Sequence, residues 1–422
     1  MPANPTTELK ENTNQYLFFR LLYDVADFVT WAYYIILLLR ASNNSISLIV
    51  INHAIVYAGI MIGYVLGSAI LGRMGYLANY RIANLLLLLT CILTVLTLPH
   101  ILEVNLMLAL VRGMGRGCFL VAHHMFYMHE IHGTNRSRLL NLLVSTNYIF
   151  GIVFPFIVGG AISAYGYEWI FLIGVGLYGF GILIPWKYNK VPRNNFDMAE
   201  LRQLTRRRGF KRWSGLIMFS EFTGNIKAIS LAVIPFILLG SEFEVGLLAS
   251  GLAIVAAAMT FAHRNDKFRH KIRLGYLGGL MIGISNLILG VVWSIPTLVL
   301  RGLGVNVGHA FYSPAMEELN YKNRESVLSN FIEQSTIEVN LYVEVLLFIS
   351  RLIAGVVMMV ALFVFEINSI VLLQGFILIS AFSELLHLWL NNWVNQILRR
   401  GKPTESTYHS PLVSAPLAAH RI

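Results

Sequence analysis

The sequence VRGMG at residues 111–115 lies in a long apolar segment, and a similar sequence, LRGLG, follows at residues 300–304. Leu139 and Leu328 are identical residues, and they are as far apart in the sequence as the two Arg-Gly-x-Gly motifs. Chance similarity between apolar segments is the alternative, although a repeated Arg-Gly-x-Gly is more specific than apolar residues alone. The repetition therefore predicts two similar halves in the same orientation, with a path between them.

The composition indicates that most of the molecular surface does not face water. Hydrophobic residues make up 56% of the 422 residues, charged residues only 13%, and the mean hydropathy is +0.64. A soluble domain normally carries about 25% charged residues. Apolar runs of about 20 residues, the length that crosses a bilayer, recur along the chain. Helices satisfy their own backbone hydrogen bonds in lipid, so we predict an all-α membrane protein.

Twelve spans are predicted, six in each half. The first half covers residues 1–187, a basic linker 188–212, the second half 213–398, and a tail 399–422. The first-half spans are expected at 16–39, 47–71, 80–99, 105–128, 138–163 and 167–187. The second-half spans are expected at 213–239, 245–262, 272–292, 296–316, 334–364 and 369–398.

The distribution of basic residues predicts the orientation. The net charge of +10 would suit a nucleic-acid-binding protein. However, 25 of the 32 Lys and Arg residues fall in the termini, the linker and the even-numbered loops or within two residues of the adjoining span ends. The odd-numbered loops contain one, Arg40, and the other six lie deeper inside spans. By the positive-inside rule, both termini and the linker are cytoplasmic. We therefore expect a multi-pass protein of a plasma or inner membrane that contacts the lipid bilayer and no nucleic acid.

Three sequence motifs resemble those of a known family. They are GSAILGRMG at 67–75, between the second and third spans, RGMGRG at 112–117 in the fourth span, and GIVFPFIVGG at 151–160 in the fifth. With the span count, they make the whole chain similar to the major facilitator superfamily. The resemblance implies twelve transmembrane helices in two parallel six-helix repeats around a central cavity.

The resemblance also implies roles for particular residues. In the family, the fourth-span Arg motif, here Arg112, is associated with proton coupling, and the fifth-span motif is found mainly in antiporters. The motif positions to which we assign gating are Gly67, Arg73, Gly75, Gly151, Pro155, Gly159, Gly160 and, in the corresponding second-half loop, Asp266.

Charged residues inside spans are costly and usually face a cavity or a partner. Asp24 and Asp27 are three residues apart in the first span and share a helix face, which Trp31 continues. Counted from the cytoplasmic side, Asp27 lies about as deep as Arg112. Burial disfavours a charged carboxylate and a nearby Arg favours it, so movement of Arg112 would change the proton affinity of Asp24 or Asp27. A static Asp–Arg bridge and direct contact with the substrate are the alternatives.

Further polar and aromatic residues are candidates for the cavity wall. We predict that the wall includes Arg20, Trp31, Tyr34, Tyr148, Glu221, Lys227 and Arg301. Glu344 and Arg351 are seven residues apart, so they share a face and are predicted to pair in a structural role. The His residues near 123–132 lack the spacing of a metal motif, so we expect no metal and no cofactor.

The sequence therefore predicts a monomeric, proton-coupled transporter of a small organic solute, with export by antiport slightly preferred over import. It contains no P-loop, G-x-S-x-G or H-E-x-x-H motif, so we expect neither ATP-driven transport nor an enzyme. An importer of a nutrient or metal chelate is one alternative. A receptor or assembly factor that uses the same scaffold without transport is the other.

Overall fold

Apolar runs separated by short polar or glycine-containing breaks form helices in this computed structural model, which describes residues 5–129, 134–184, 202, 205–206, 208–262, 268–328, 336–364 and 369–400. The described first half contains α1 (Pro5–Trp31), α2 (Tyr34–Ala41), α3 (Ile46–Leu96), α4 (Ile101–His129), α5 (Thr134–Tyr165) and α6 (Tyr167–Leu183). The described second half contains α7 (Arg208–Leu239), α8 (Glu242–Ala262), α9 (Phe268–Val291), α10 (Ile295–Leu328), α11 (Thr336–Phe363) and α12 (Ser369–Arg400).

The first predicted span, 16–39, is divided between α1 and α2. Helix α1 ends at Trp31, and α2 begins directly afterwards, with the Leu37 N–H donating to the Tyr33 carbonyl at 3.0 Å. After α2 the chain turns through Asn43 and Asn44, whose φ angles are 52° and 65°. Asn adopts this left-handed region more readily than most residues. After this turn the chain continues as α3.

Helix α3 contains 51 residues and is bent at Gly75, where φ is 81° and the backbone leaves helical geometry. A straight helix of that length would measure about 76 Å, whereas a bilayer core is only about 30 Å thick. Because Gly75 adopts a positive φ without steric cost, it allows the chain to reverse there. A Cβ on Gly67 would lie 3.2 Å from Asn79 Oδ1, so residues on the two sides of the bend lie close together.

Helices α3 and α4 pack at very short range through small residues. A Cβ placed on Gly63 would lie 2.1 Å from the Met114 carbonyl oxygen, and one on Gly113 would lie 2.2 Å from that of Val56. The backbones of the two helices are therefore in contact, as small-residue stripes permit in membranes. This contact fixes the position of α4, which carries Arg112 and Arg116.

Eight helical stretches in the described chain are long and apolar enough to cross a membrane, and Ile149–Tyr165 and Tyr167–Leu183 are shorter apolar helices. The stretch Ile46–Leu96 is counted once among the eight, although it contains the bend at Gly75. The structure thus has the helices of a multi-pass membrane protein. The twelve spans, the parallel repeat and the cytoplasmic termini stay predictions, and most of the predicted linker and tail lies outside the described residues.

Candidate functional site

The first half places charged side chains between α1 and α4. Arg20 Nε donates to Asp24 Oδ2 at 2.7 Å, one helical turn away. Asp27 Oδ2 lies 3.9 Å from Arg116 Nη2, and Asp27 Oδ1 has no hydrogen-bond partner among the described residues. The Asp24 carboxylate is thus held by a direct bond, whereas Asp27 is held by one long contact.

Arg112 lies one turn before Arg116 on α4 and is 8% exposed. Its guanidinium carbon lies 4.3 Å from the centroid of the Trp31 ring, a cation–π contact. Asp27 is within electrostatic range of Arg112, but no described carboxylate forms an ion pair with Arg112. The sequence grouped Asp24, Asp27 and Arg112, and the structure adds Arg116 as the nearest cation to Asp27.

The second half has its own charged centre between α7 and α11. Arg351 Nε donates to Glu221 Oε1, and Arg351 Nη1 lies 3.4 Å from Glu344 Oε1. The predicted pairing of Glu344 with Arg351 is therefore confirmed, and Glu221 joins it from another helix. Two carboxylates share one guanidinium in this centre.

A second ion pair in this half joins α7 to α12. Lys227 Nζ donates to Glu384 Oε1, and the Glu384 side chain is only 3% exposed. The sequence placed Lys227 in the cavity wall, and the structure brings it into direct contact with Glu384. The pair is electrically neutral and connects two helices.

Tyr57 on α3 connects the two charged centres. The guanidinium carbon of Arg351 lies 4.5 Å from the Tyr57 ring centroid. Tyr57 is also within electrostatic range of Glu221, Arg112 and Arg116. Charged groups of both halves therefore lie around Tyr57, although they are far apart in the sequence.

The fifth-span motif forms part of the contact between the halves. A Cβ on Gly159 would lie 2.6 Å from the Glu242 carbonyl oxygen, and one on Gly246 would lie 2.2 Å from that of Pro155. Farther along α5, a Cβ on Gly151 would lie 3.5 Å from Ala253 Cβ. The motif thus brings the α5 backbone against α8.

Polar bonds hold the halves together at one end of this contact. Arg40 Nη2 donates to Glu242 Oε2 at 3.0 Å, and the Tyr167 hydroxyl donates to Glu242 Oε1 at 2.7 Å. Beside them, within the first half, the Tyr33 hydroxyl donates to the Pro155 carbonyl at 2.7 Å. We refer to Arg40, Tyr167 and Glu242, whose bonds cross between the halves, as the Glu242 lock. Glu242 itself is 2% exposed, so both of its oxygens are satisfied in a buried place.

Other predicted cavity residues lie within one half. Trp31 and Tyr34 are 3% and 0% exposed and pack against Phe171 on α6. Arg301 is 5% exposed and donates from Nε to Asn286 Oδ1 at 2.8 Å. These residues support the packing of their own half in this structure.

Of the remaining gating predictions, Gly67 lies at the α3–α4 contact, and Arg73 is exposed beside the bend at Gly75. Gly160 lies near Phe243, because a Cβ on Gly160 would be 3.8 Å from that ring. Asp266 and the side chain of Tyr148 lie outside the described residues.

Nothing in the sequence singled out Glu242 or its ion pair with Arg40. Glu242 lies at the start of α8 and Arg40 in the last turn of α2, positions where charged residues are ordinary. Their separation of 202 positions gives no local signal. Arg40 had one distinguishing feature, since it is the one basic residue in the predicted odd-numbered loops.

Comparisons with known proteins agree with this architecture. A family model described as the Major Facilitator Superfamily matches residues 17–323. No curated protein sequence matches the chain significantly. The crystal structure of a D-xylose-proton symporter is similar, with a TM-score of 0.65 and 14% identity over 89% of this chain and 96% of that one.

Two structures of POT family transporters are also similar. One is in complex with a thioalcohol-conjugated peptide and the other with 5-aminolevulinic acid. Each has a TM-score of 0.63 and 11% identity over 92% of this chain and 96% of the other. At such identities the likeness shows a shared fold.

The family match covers most of the chain, so the chain belongs to the Major Facilitator Superfamily. This confirms the resemblance that the three motifs indicated. Membership supports an integral, multi-pass membrane transporter rather than an enzyme.

Proposed function

We propose that this chain is a proton-coupled secondary transporter of a small organic solute. It works by alternating access, in which the two halves rock around a central site. Export by antiport is the preferred direction. The protein lies in a plasma or inner membrane as a monomer, with both termini and the basic linker in the cytoplasm.

The Asp27 carboxylate is the observation that carries this proposal. Its side chain is 20% exposed, one oxygen has no hydrogen-bond partner among the described residues, and the other lies 3.9 Å from Arg116. A carboxylate without a direct ion-pair partner can accept a proton without first breaking such a pair. Asp27 is therefore the favoured proton carrier, with Arg112 and Arg116 as the cations that control it.

The Glu242 lock supports alternating access. It joins α2 and α6 of one half to α8 of the other, and α1 and α2 meet next to Tyr33. With cytoplasmic termini, the lock lies on the extracytoplasmic side. Rocking of the halves would break its bonds and open the path on that side.

The direction of transport is proposed from the fifth-span motif. Gly151, Pro155 and Gly159 lie where α5 meets α8, so the antiporter-like sequence supplies a surface that moves during rocking. A proton-driven importer would use the same site with the opposite direction of solute movement. The transport experiment below therefore distinguishes import from export.

The test is transport by purified protein in liposomes with an imposed pH gradient. We expect a solute to move against its own gradient only while the pH gradient is present, and we expect the double variant Asp24→Asn, Asp27→Asn to lose this movement. Placing the solute inside or outside the vesicles distinguishes export from import.

Three results would reject parts of the proposal. Flux that ignores the pH gradient would remove proton coupling. Unchanged gradient-driven flux in the double variant would remove the role of these carboxylates. Saturable binding of a solute without any flux would favour a receptor on the same scaffold.

A further inference from the structure

The central parts of five membrane helices carry opposite excess charge in the two halves. In residues 14–31 of α1 and 104–126 of α4 there are three cations and two carboxylates: Arg20, Arg112, Arg116, Asp24 and Asp27. In residues 213–239 of α7, 339–363 of α11 and 370–397 of α12 there are two cations and three carboxylates: Lys227, Arg351, Glu221, Glu344 and Glu384. The first group therefore has one positive charge in excess, and the second has one negative charge in excess.

The pairing shows where each excess charge lies. Two pairs are closed and neutral, since Arg20 bonds to Asp24 and Lys227 bonds to Glu384. In the first half this leaves Arg112 and Arg116 with one carboxylate, Asp27. The excess positive charge therefore lies on α4.

In the second half the same reasoning leaves two carboxylates, Glu221 and Glu344, with one cation, Arg351. Arg301, on α10, donates to Asn286 on α9 and is 5% exposed, so it lies outside this group. The excess negative charge lies between α7 and α11.

In each centre the most accessible member carries the sign of the excess charge. The Arg116 side chain is 39% exposed, compared with 20% for Asp27. The Glu221 side chain is 26% exposed, compared with 5% for Glu344 and 14% for Arg351. A ligand in the space between the halves would therefore meet a guanidinium on one side and a carboxylate on the other.

Both groups lie around one residue, Tyr57. Tyr57 lies within electrostatic range of Arg116 and of Glu221, and its ring contacts Arg351. Helix α3, which carries Tyr57, packs against α4 on one side and α11 on the other. Tyr57 thus marks the wall between the positive and the negative centre.

We propose that this space binds a small dipolar organic solute, with its anionic group at Arg116 and its cationic group at Glu221. This inference rests on the proposed function and specifies its substrate class. Charge-assisted hydrogen bonds to ionised groups are among the strong ones in proteins. A neutral solute would displace water from both excess charges without replacing the hydrogen bonds of that water, which is costly. A solute with one charge would match only one centre.

The test offers four pools of solutes to the wild-type protein in liposomes under a pH gradient. The pools are amino acids and dipeptides, their N-acetylated forms, their methyl esters, and neutral sugars. Mass spectrometry of the vesicle contents identifies what moves. We expect movement from the first pool, whose members are dipolar. Movement confined to the singly charged or neutral pools would overturn this inference and leave the proposed function standing, whereas no movement from any pool would overturn both.

Two substitutions test the positions of the charges. Arg116→Gln and Glu221→Gln are each expected to lower transport of the dipolar solute by at least about tenfold, the loss expected for one charge-assisted bond. Arg116→Gln should also raise the preference for the methyl ester over the parent solute, because the ester lacks the anionic group.

Arg273→Gln and Glu103→Gln are the matched controls, since both residues are exposed and lie outside the two centres. We expect both controls to transport like the wild type. Wild-type transport and unchanged solute preference in both Arg116→Gln and Glu221→Gln would overturn the assignment. Protein that fails to fold is recognised by gel filtration, and Arg116→Lys and Glu221→Asp, which keep each charge, then provide the comparison.

Discussion

The two halves hold their buried charges in different ways. In the first half, Asp27 lies 3.9 Å from Arg116 and has an oxygen without a partner among the described residues. In the second half, Lys227 contacts Glu384 directly, and Glu384 is nearly inaccessible to water. The first half therefore contains a carboxylate without a direct ion-pair partner, whereas the direct pair in the second half connects two helices.

The repeated arginines show the same divergence. Arg112 lies on the Trp31 ring, whereas Arg301 bonds to Asn286. The Arg-Gly-x-Gly sequence therefore does not determine the partner of its Arg. The first half thus contains a carboxylate, Asp27, without a direct ion-pair partner. In the second half, the Lys227–Glu384 pair joins α7 to α12.

The largest expected effect comes from breaking the Lys227–Glu384 pair. Lys227→Met leaves a buried carboxylate without its cation, which typically costs about 3–5 kcal/mol of stability. Reversible unfolding in mixed micelles measures the free energy. We expect the double variant Lys227→Met, Glu384→Leu to recover most of the loss.

The matched change in the first half is Arg116→Met. Because the Arg116 side chain is 39% exposed, solvent screens its pair with Asp27, and we expect a loss of about 1 kcal/mol or less. Equal losses in the two halves would contradict the comparison.

The next effect distinguishes the two aspartates of α1. We expect Asp27→Asn to reduce gradient-driven accumulation to the level of protein-free liposomes, because the side chain no longer exchanges a proton. Solute exchange across the membrane without a pH gradient should continue. Both rates are measured with the solute that moves in the wild-type assay.

Asp24→Asn is the control for this experiment. Asp24 is bonded to Arg20 at 2.7 Å, so we expect it to stay charged through the cycle and the variant to keep gradient-driven accumulation. The opposite ranking of the two variants would move the proton site to Asp24.

The smallest effect concerns the Glu242 lock. Arg40 is 55% exposed, and exposed ion pairs contribute little, so Arg40→Gln should change the ratio of open to closed forms by about fivefold or less. Spin labels at Tyr165→Cys and Phe243→Cys, in a cysteine-free background, would report the distance between α5 and α8. We expect Arg40→Gln to increase the population at longer distance.

Glu244→Gln is the matched control, because Glu244 is an exposed carboxylate two residues from Glu242. Its distance distribution should equal that of the labelled parent. An unchanged distribution in Arg40→Gln would show that this ion pair does not hold the lock closed.

The candidate site was predictable where its geometry is local. Glu344 and Arg351 are seven residues apart on one helix, and the predicted pair is present at 3.4 Å. The Arg20–Asp24 bond also follows helical spacing, since residues four apart are neighbours. By contrast, Glu221 and Arg351 are separated by 130 positions, so only the packing of α7 against α11 brings them together.

The sequence by itself determined that this chain is a helical, multi-pass member of the Major Facilitator Superfamily, because apolar length and family motifs are local properties. It also predicted which charges lie within the apolar helices. The tertiary structure alone decided that Asp27 meets Arg116 and that Glu384 meets Lys227. Ion pairing depends on distances of a few ångströms between helices, and those distances are fixed by packing that no local pattern contains.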